Sequence, residues 1–192
     1  MNMKIKSIKT SLLGSTLPYS DNSKNGRFCE EVLIDENWPI DQHRKGPDVS
    51  TDNFKIEFKL KDQDSVSAYT IGKITFDELK TVDYNTSHIK DKLQQLCIIE
   101  HKDKVVVSVN VYDLTDPEIQ KKFEEAFELA RELVISGYNS NYIPGNNFGY
   151  FESTTQQPNI YSFRIRKEMM DRVIKGMSKS ADNFKKLFEL VG

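Results

Sequence analysis

Asp48, Glu57 and Lys59 lie close together in the sequence and could bind a metal ion and activate water. Two carboxylates that lie close together repel each other unless a cation lies between them. Hard oxygen ligands of this kind suit Mg²⁺. A bound Mg²⁺ lowers the pKa of a water molecule and polarises a phosphodiester oxygen. A lysine beside the metal can orient or deprotonate that water, or neutralise the charge of the transition state. The three residues therefore indicate metal-assisted phosphodiester hydrolysis.

A turn followed by a β-strand would bring these side chains together. Residues 50–53, Ser-Thr-Asp-Asn, can bond their own backbone and favour a tight turn. From residue 54 apolar and charged residues alternate, which predicts a strand with Glu57 and Lys59 on one face, ~6–7 Å apart at the backbone. Phe54, Ile56, Phe58 and Leu60 would form the opposite, apolar face. The alternative is a half-exposed strand whose charged face is only solvated.

The order Pro47-Asp48…Glu57-x-Lys59 resembles the PD-(D/E)xK nuclease motif. From about residue 24 to 170 the chain also resembles the MutH family, which comprises the mismatch-repair nicking endonuclease and related type II restriction enzymes that cut GATC. Residues 24–30, Lys-Asn-Gly-Arg-Phe-Cys-Glu, are similar to the first helix of that family, where a glycine precedes a metal-site glutamate by four residues. That glutamate falls on Glu30.

Three later segments carry the same resemblance. Residues 87–93, Ser-His-Ile-Lys-Asp-Lys-Leu, resemble a segment with a further active-site lysine, which falls on Lys92. An acidic helix over 115–136 corresponds, as do the two strands before it. Residues 163–167, Phe-Arg-Ile-Arg-Lys, resemble a strand that leads into a DNA-contacting arginine, which falls on Arg166.

The resemblance implies a restriction-endonuclease-like α/β fold, with a mixed central β-sheet flanked by α-helices in a single domain over 1–192. It implies a Mg²⁺-dependent, sequence-specific endonuclease of double-stranded DNA. The metal would be held by Asp48, Glu57 and the backbone carbonyl of Phe58, and supported by Glu30. Lys59 would orient the water. The catalytic set is then Asp48, Glu57, Lys59, Glu30 and Lys92, and the DNA contacts are Lys92, Arg164, Arg166 and Lys167.

Several alternatives stay open. Asp52 could replace Asp48 as the first metal ligand, and Glu31 could replace Glu30. The chain has no counterpart of a second base-reading segment found in the mismatch-repair member, which leaves the recognition sequence undecided. A monomer would nick DNA, whereas a homodimer would make a concerted double-strand cut. A DNA-binding domain of the same fold without catalytic activity is a further candidate.

Composition bounds the class of protein. The chain has 192 residues, 38% of them hydrophobic and 29% charged, which suits one globular domain. No run of about 18 apolar residues or signal-like start occurs, so we expect neither a membrane span nor secretion. Cys29 and Cys97 are not part of a CxxC motif or a Cys/His cluster, so we interpret them as reduced apolar side chains of a cytoplasmic protein. A net charge of −2 requires any DNA-binding surface to be local.

Local patterns predict the remaining elements. The most strongly periodic is a helix that starts at the capping sequence of residues 115–118 and stops at Gly137. A helix at 26–36 would be capped by Ser23 or Asn25. Further predictions are strands at 68–75, 96–100, 105–111 and 159–167, helices at 76–81 and 168–190, and a long loop or loose hairpin at 138–158.

Overall fold

The computed structural model of the protein describes residues 12–33, 47–50, 55–64 and 67–169. These residues form α-helices and two four-stranded β-sheets, which confirms a mixed α/β composition. They divide into two compact units, the first from 12–64 and 95–113, the second from 67–94 and 114–169. The sequence predicted one central sheet, whereas each unit has its own sheet.

Among its described residues, the first unit contains helix α1 (Asn22–Leu33) and a mixed sheet. The sheet has the order β1-β2-β4-β5, in which β2 and β4 are parallel and the two outer pairs are antiparallel. The elements are α1 (Asn22–Leu33), β1 (Val49–Ser50), β2 (Lys55–Asp62), β4 (Gln95–Lys102) and β5 (Val105–Asp113).

The predicted alternation along β2 is only partly reflected in burial, because Glu57, between Ile56 and Phe58, is also buried. Ile56 and Phe58 are buried and pack, with Leu60 beside them, in the hydrophobic core of the first unit. Helix α1 packs on β2 and contributes Cys29 to the same core. The core is completed by Leu12, Leu17, Cys97, Ile99, Val106 and Val109. Because side chains alternate along a strand, Glu57 and Lys59 lie on the other face of the sheet.

Helix α1 begins earlier than the predicted residue 26. The Asp21 carboxylate accepts a hydrogen bond from the Ser23 N–H at 2.7 Å, and the Asp21 carbonyl accepts from the Asn25 N–H. Asn25 is not a cap: it is buried in the first turn, where its side-chain amide bonds both backbone groups of Tyr19. Residues 34–36 of the predicted helix lie outside the described residues.

The second unit contains an antiparallel sheet of order β3-β8-β7-β6. Phe127 of its longest helix packs against Phe151 and Phe163 of the sheet, with ring centroids 5.4 and 6.3 Å away. The elements are β3 (Ala68–Thr75), α2 (Phe76–Thr81), a 3₁₀ turn (Tyr84–Thr86), α3 (His88–Lys92), α4 (Pro117–Ile135), β6 (Tyr142–Ile143), β7 (Gly149–Thr154) and β8 (Gln157–Arg166).

The start and end of α4 follow the predicted signals. The Asp116 carboxylate accepts from the backbone N–H groups of Glu118 and Ile119, and Pro117 occupies the first helical position. Gly137 ends the helix with φ of +97°, a conformation that only glycine adopts freely. The strand predicted over 159–167 and the helix over 76–81 are also confirmed.

The region predicted as a loop or loose hairpin, 138–158, contains β6, the whole of β7 and the first two residues of β8, and β6 pairs with β7 in an antiparallel hairpin. The helix predicted over 168–190 lies almost entirely outside the described residues. Among the helices that are described, none combines the length and apolarity needed to span a membrane.

Candidate active site

The short hairpin of β1 and β2 places Asp48 beside the middle of β2. Val49 pairs with Ile56 and Ser50 with Lys55, so the register brings position 48 level with Glu57. The Asp48 carboxylate accepts a hydrogen bond from the Phe58 N–H, with Oδ2 at 2.7 Å from the nitrogen. The first two carboxylates of the predicted site are therefore brought to adjacent positions of neighbouring strands.

Pro47 limits the backbone partners available to Phe58. The Phe58 N–H points toward the β1 side, while the Lys55 N–H bonds Gln95 Oε1 on the β4 side. In an antiparallel ladder the N–H and C=O of one residue point to the same side. The carbonyl of Phe58 thus points toward the Asp48 side, where Pro47 has no N–H to donate to it. The Phe58 carbonyl oxygen is therefore on the side of β2 that the Asp48 carboxylate occupies, and it receives no hydrogen bond from the Pro47 backbone.

Glu57 and Lys59 form an ion pair on β2. Glu57 is only 1% exposed, and its Oε1 contacts the Lys59 ammonium, whose side chain is 21% exposed. The sequence predicted that the two side chains project the same way, but not that the carboxylate would be buried. A buried carboxylate requires a cationic or hydrogen-bonding partner, and Lys59 supplies one.

Glu30, on α1, is electrostatically coupled to the same group. Burial, together with the negative charges of Asp48 and Glu57, raises the pKa of its carboxyl from 4.5 to about 7, against the opposing effect of Lys59 and Arg27. A like charge nearby disfavours the ionised form of a carboxyl group. Three acidic residues from α1, the start of β1 and β2 therefore contribute to one negative region.

The two cysteines lie next to this region and are free thiols, as predicted. Burial, with the nearby Glu30 charge, raises the pKa of Cys29 to about 11, and burial raises the pKa of Cys97 well above its usual value. Both thiols stay protonated at neutral pH and are poor nucleophiles. Both side chains pack in the hydrophobic core of the first unit.

The chemistry of the donors fits a hard divalent cation, because carboxylate and carbonyl oxygens are the ligands that Mg²⁺ prefers. A cation would also relieve the repulsion that raises the Glu30 pKa. Within the described ranges no group of three or more His, Cys, Asp or Glu side chains is arranged to hold a metal ion. The donors therefore fit a divalent cation by type, but the described side chains are not arranged as a ligand group, and the Glu57 carboxylate contacts Lys59.

The two alternative ligands are placed differently. Glu31 is exposed on α1, whereas its neighbour Glu30 is half-buried and coupled to Asp48. Asp52 lies outside the described residues. Among the described residues, Asp48 is the aspartate that contacts β2 beside Glu57, through its hydrogen bond with Phe58.

Lys92 belongs to the second unit, on α3, and is only 7% exposed. Gly72 of β3 makes room for this helix: a Cβ there would lie 2.7 Å from Ile89 Cδ1 and 3.2 Å from Lys92 Cδ. His88 Nε2 lies 2.8 Å from the Lys73 carbonyl oxygen, which joins the start of the helix to the same strand. The packing of α3 on β3 therefore fixes the aliphatic part of the Lys92 side chain.

The predicted DNA-contacting residues lie at the end of β8. Arg164 forms an ion pair with Glu152 of β7. The Arg166 guanidinium lies over the ring of Tyr150, and its Nη2 donates a hydrogen bond to the Tyr142 hydroxyl. Both arginines are partly exposed, and the N–H of Lys167 bonds the Ser67 carbonyl.

The sequence analysis missed Tyr142, Tyr150 and Glu152 as partners of these arginines. They lie in the region rich in Asn, Gly and Ser that was read as a loop or loose hairpin. The signal that could have found them is the adjacent aromatic pair Tyr150 and Phe151, which favours a strand, and in a strand neighbouring side chains point to opposite faces.

Comparison of the chain with protein-family models and with curated proteins found no match. The resemblance to the MutH family stays a prediction from the motifs.

Proposed function

We propose that the chain is a Mg²⁺-dependent, sequence-specific endonuclease of double-stranded DNA, similar to type II restriction enzymes. The observation that carries the proposal is the hydrogen bond from the Phe58 N–H of β2 to the Asp48 carboxylate, next to Glu57. The Lys59 ammonium forms an ion pair with the Glu57 carboxylate on the same strand. Such an arrangement is the one that the Pro-Asp…Glu-x-Lys spacing predicts for a metal-dependent nuclease.

The fold of the first unit is compatible with the proposal. A restriction-endonuclease-like core needs a mixed sheet that supports a hairpin carrying the acidic residues. The sheet β1-β2-β4-β5 is mixed, and its β1–β2 hairpin carries Asp48 and Glu57. Helix α1, packed on β2, brings Glu30 to the same region.

Each residue has a role in the proposed reaction. Asp48, Glu57 and the Phe58 carbonyl would hold the metal, and Glu30 would support it directly or through water. The Lys59 ammonium, next to Glu57, would orient the attacking water and stabilise negative charge on the phosphate. When bound, Mg²⁺ supplies Lewis-acid stabilisation of the phosphate and of the departing 3′ oxygen.

Residues of the second unit would contribute through the DNA. Lys92 would contact a phosphate of the DNA. Arg164, Arg166 and Lys167 would approach a groove, where the planar fork of arginine matches the two acceptors on the guanine edge. Their charges would also make binding sensitive to salt.

Incubation of a supercoiled plasmid with Mg²⁺ tests the proposal. The wild-type protein is expected to produce discrete cut products, and Asp48→Asn and Glu57→Gln, which keep side-chain size, are expected to lose cleavage by at least 100-fold. Glu125→Gln, at an exposed position of α4, is the matched control and should cut normally. Omission of Mg²⁺ should abolish cleavage by every variant.

Two results would contradict the proposal: no cleavage by the wild-type protein, or equal cleavage by wild type and Glu57→Gln. Mapping of the cut ends would define the recognition sequence. Linear product would indicate a concerted double-strand cut, and open-circular product would indicate the nicking activity of a repair endonuclease.

A DNA-binding domain without catalytic activity is the second candidate, and the ion pair between Glu57 and Lys59 favours it, since the pair satisfies both charges without a metal. In that case the wild-type protein and Glu57→Gln would both retard DNA in a gel, and neither would cut the plasmid.

A further inference from the structure

One face of the second sheet carries an arginine held by two tyrosines. Along β8, Tyr161, Phe163 and Ile165 are buried, so Arg164 and Arg166 lie on the opposite face. Phe151 of β7 is buried against Phe163, and the alternation places Tyr150 and Glu152 on the face with the arginines. This polar face is the one that does not pack on Phe127 of α4.

The Arg166 side chain is fixed from two directions. Its guanidinium carbon lies 4.6 Å from the centroid of the Tyr150 ring, which holds the plane of the fork. Its Nη2 donates to the Tyr142 hydroxyl at 3.1 Å, which holds the rotation of the fork in that plane. The rings of Tyr142 and Tyr150 lie 5.2 Å apart, so the two tyrosines support each other.

This arrangement leaves Arg166 able to recognise a ligand. A guanidinium has five N–H donors, and the Tyr142 hydroxyl takes one of them. Tyr142 is 40% exposed and Arg166 is partly exposed, so the assembly is open to solvent. A fork that is already ordered loses less conformational entropy when it binds, and its orientation selects a ligand with two acceptors in a matching plane.

We propose that Tyr142 is a positioning residue that determines base specificity by orienting Arg166 toward a guanine edge in duplex DNA. The inference rests on the proposed function, in which β8 approaches a DNA groove. An arginine that is free to rotate would bind the phosphates of any sequence, because its charge alone is sufficient for that contact. The Tyr142 hydroxyl therefore acts on discrimination between bases and leaves non-specific affinity nearly unchanged.

Selection of duplexes with a randomised core, bound in Ca²⁺ in place of Mg²⁺, tests the inference. The wild-type protein should enrich a defined sequence. Tyr142→Phe, which removes only the hydroxyl, should lower the preference for guanine at one position about tenfold, within the range of a bidentate base contact. Its affinity for a scrambled duplex should change less than about twofold, since the arginine charge is retained.

Two further variants make the result specific. Tyr138→Phe, at another exposed tyrosine of the same unit, should select the same sequences as the wild type. Arg166→Lys, which keeps the charge and loses the fork, should relax the same position as Tyr142→Phe. The double variant should be no worse than Arg166→Lys, because both changes remove one interaction.

The outcomes separate this inference from the proposed function. If Tyr142→Phe keeps the full base preference at every position, or loses it equally at all positions, the positioning role is wrong. Neither result bears on the nuclease proposal, which plasmid cleavage tests separately. If the wild-type protein enriches no sequence, the positioning role is wrong as well. Plasmid cleavage then decides whether the nuclease proposal fails with it or only its sequence specificity.

Discussion

Replacement of Glu30 by glutamine is expected to stabilise the metal-free protein at pH 8 and to have little effect at pH 4.5. Glutamine keeps the size of the side chain and removes its charge. Burial and the charges of Asp48 and Glu57 raise the Glu30 pKa to about 7, so the ionised carboxylate is less favourable in the folded protein than in the unfolded chain.

The size of the effect follows from the pKa. A rise from 4.5 to about 7 corresponds to about 3.5 kcal/mol of folding free energy, at ~1.4 kcal/mol per pH unit. Glu30 is only half-buried, so solvent screening reduces this to about 2 kcal/mol. Because the Glu30 pKa is higher in the folded state, the contribution of Glu30 to the folding stability of the wild-type protein is fully present below pH 4.5. It is lost as the pH rises through about 7.

Urea unfolding in EDTA, followed by circular dichroism from pH 4.5 to pH 8, measures this difference. The wild-type protein should lose stability relative to Glu30→Gln across that interval, reaching about 2 kcal/mol at pH 8, or roughly 4–8 °C in Tm. Glu31→Gln is the matched control, since Glu31 is the exposed neighbour on the same helix. It should differ little from wild type at every pH.

A constant difference between Glu30→Gln and wild type at all pH values would refute the reasoning, because a titrating charge must produce a pH-dependent one. A destabilised Glu30→Gln at pH 8 would also refute it. If the proposed metal site is correct, added Mg²⁺ should stabilise the wild-type protein and narrow the gap to the variant.

Three further predictions concern single side chains. Lys59→Met should destabilise the protein by about 2–3 kcal/mol in urea unfolding, because it leaves the buried Glu57 carboxylate without its cation, and addition of Glu57→Gln should restore most of the loss. Neither cysteine should react with a thiol reagent in the native protein at pH 7.5, since burial keeps the thiols protonated. Both cysteines should react in urea. Fast reaction of either cysteine in the native protein would contradict this prediction. Glu152→Gln should release Arg164 for phosphate contact and steepen the dependence of log Kd on log salt by up to about 0.9 for duplex DNA; an unchanged slope would show that Arg164 makes no such contact.

Local patterns in the sequence determined the elements of the fold. The alternation along β2 and β8 placed Ile56, Phe58 and Phe163 in the core because a strand has a two-residue period. The start and end of α4 followed from Asp116, Pro117 and Gly137, since caps and positive φ are properties of single residues. The start of α1 was misplaced because several polar residues in a row offered competing caps.

Only the tertiary structure decided which charges meet. The sequence suggested that Asp48, Glu57 and Lys59 lie near one another, but the burial of Glu57 and the coupling of Glu30 depend on how α1 packs on β2. Likewise, the partners of Arg164 and Arg166 come from β6 and β7, whose pairing with β8 depends on register and not on local propensity. Residue types and spacing determine which side chains are able to do chemistry. Burial and distance set the charge states and partners of those side chains, and both arise only when segments far apart in the chain pack together.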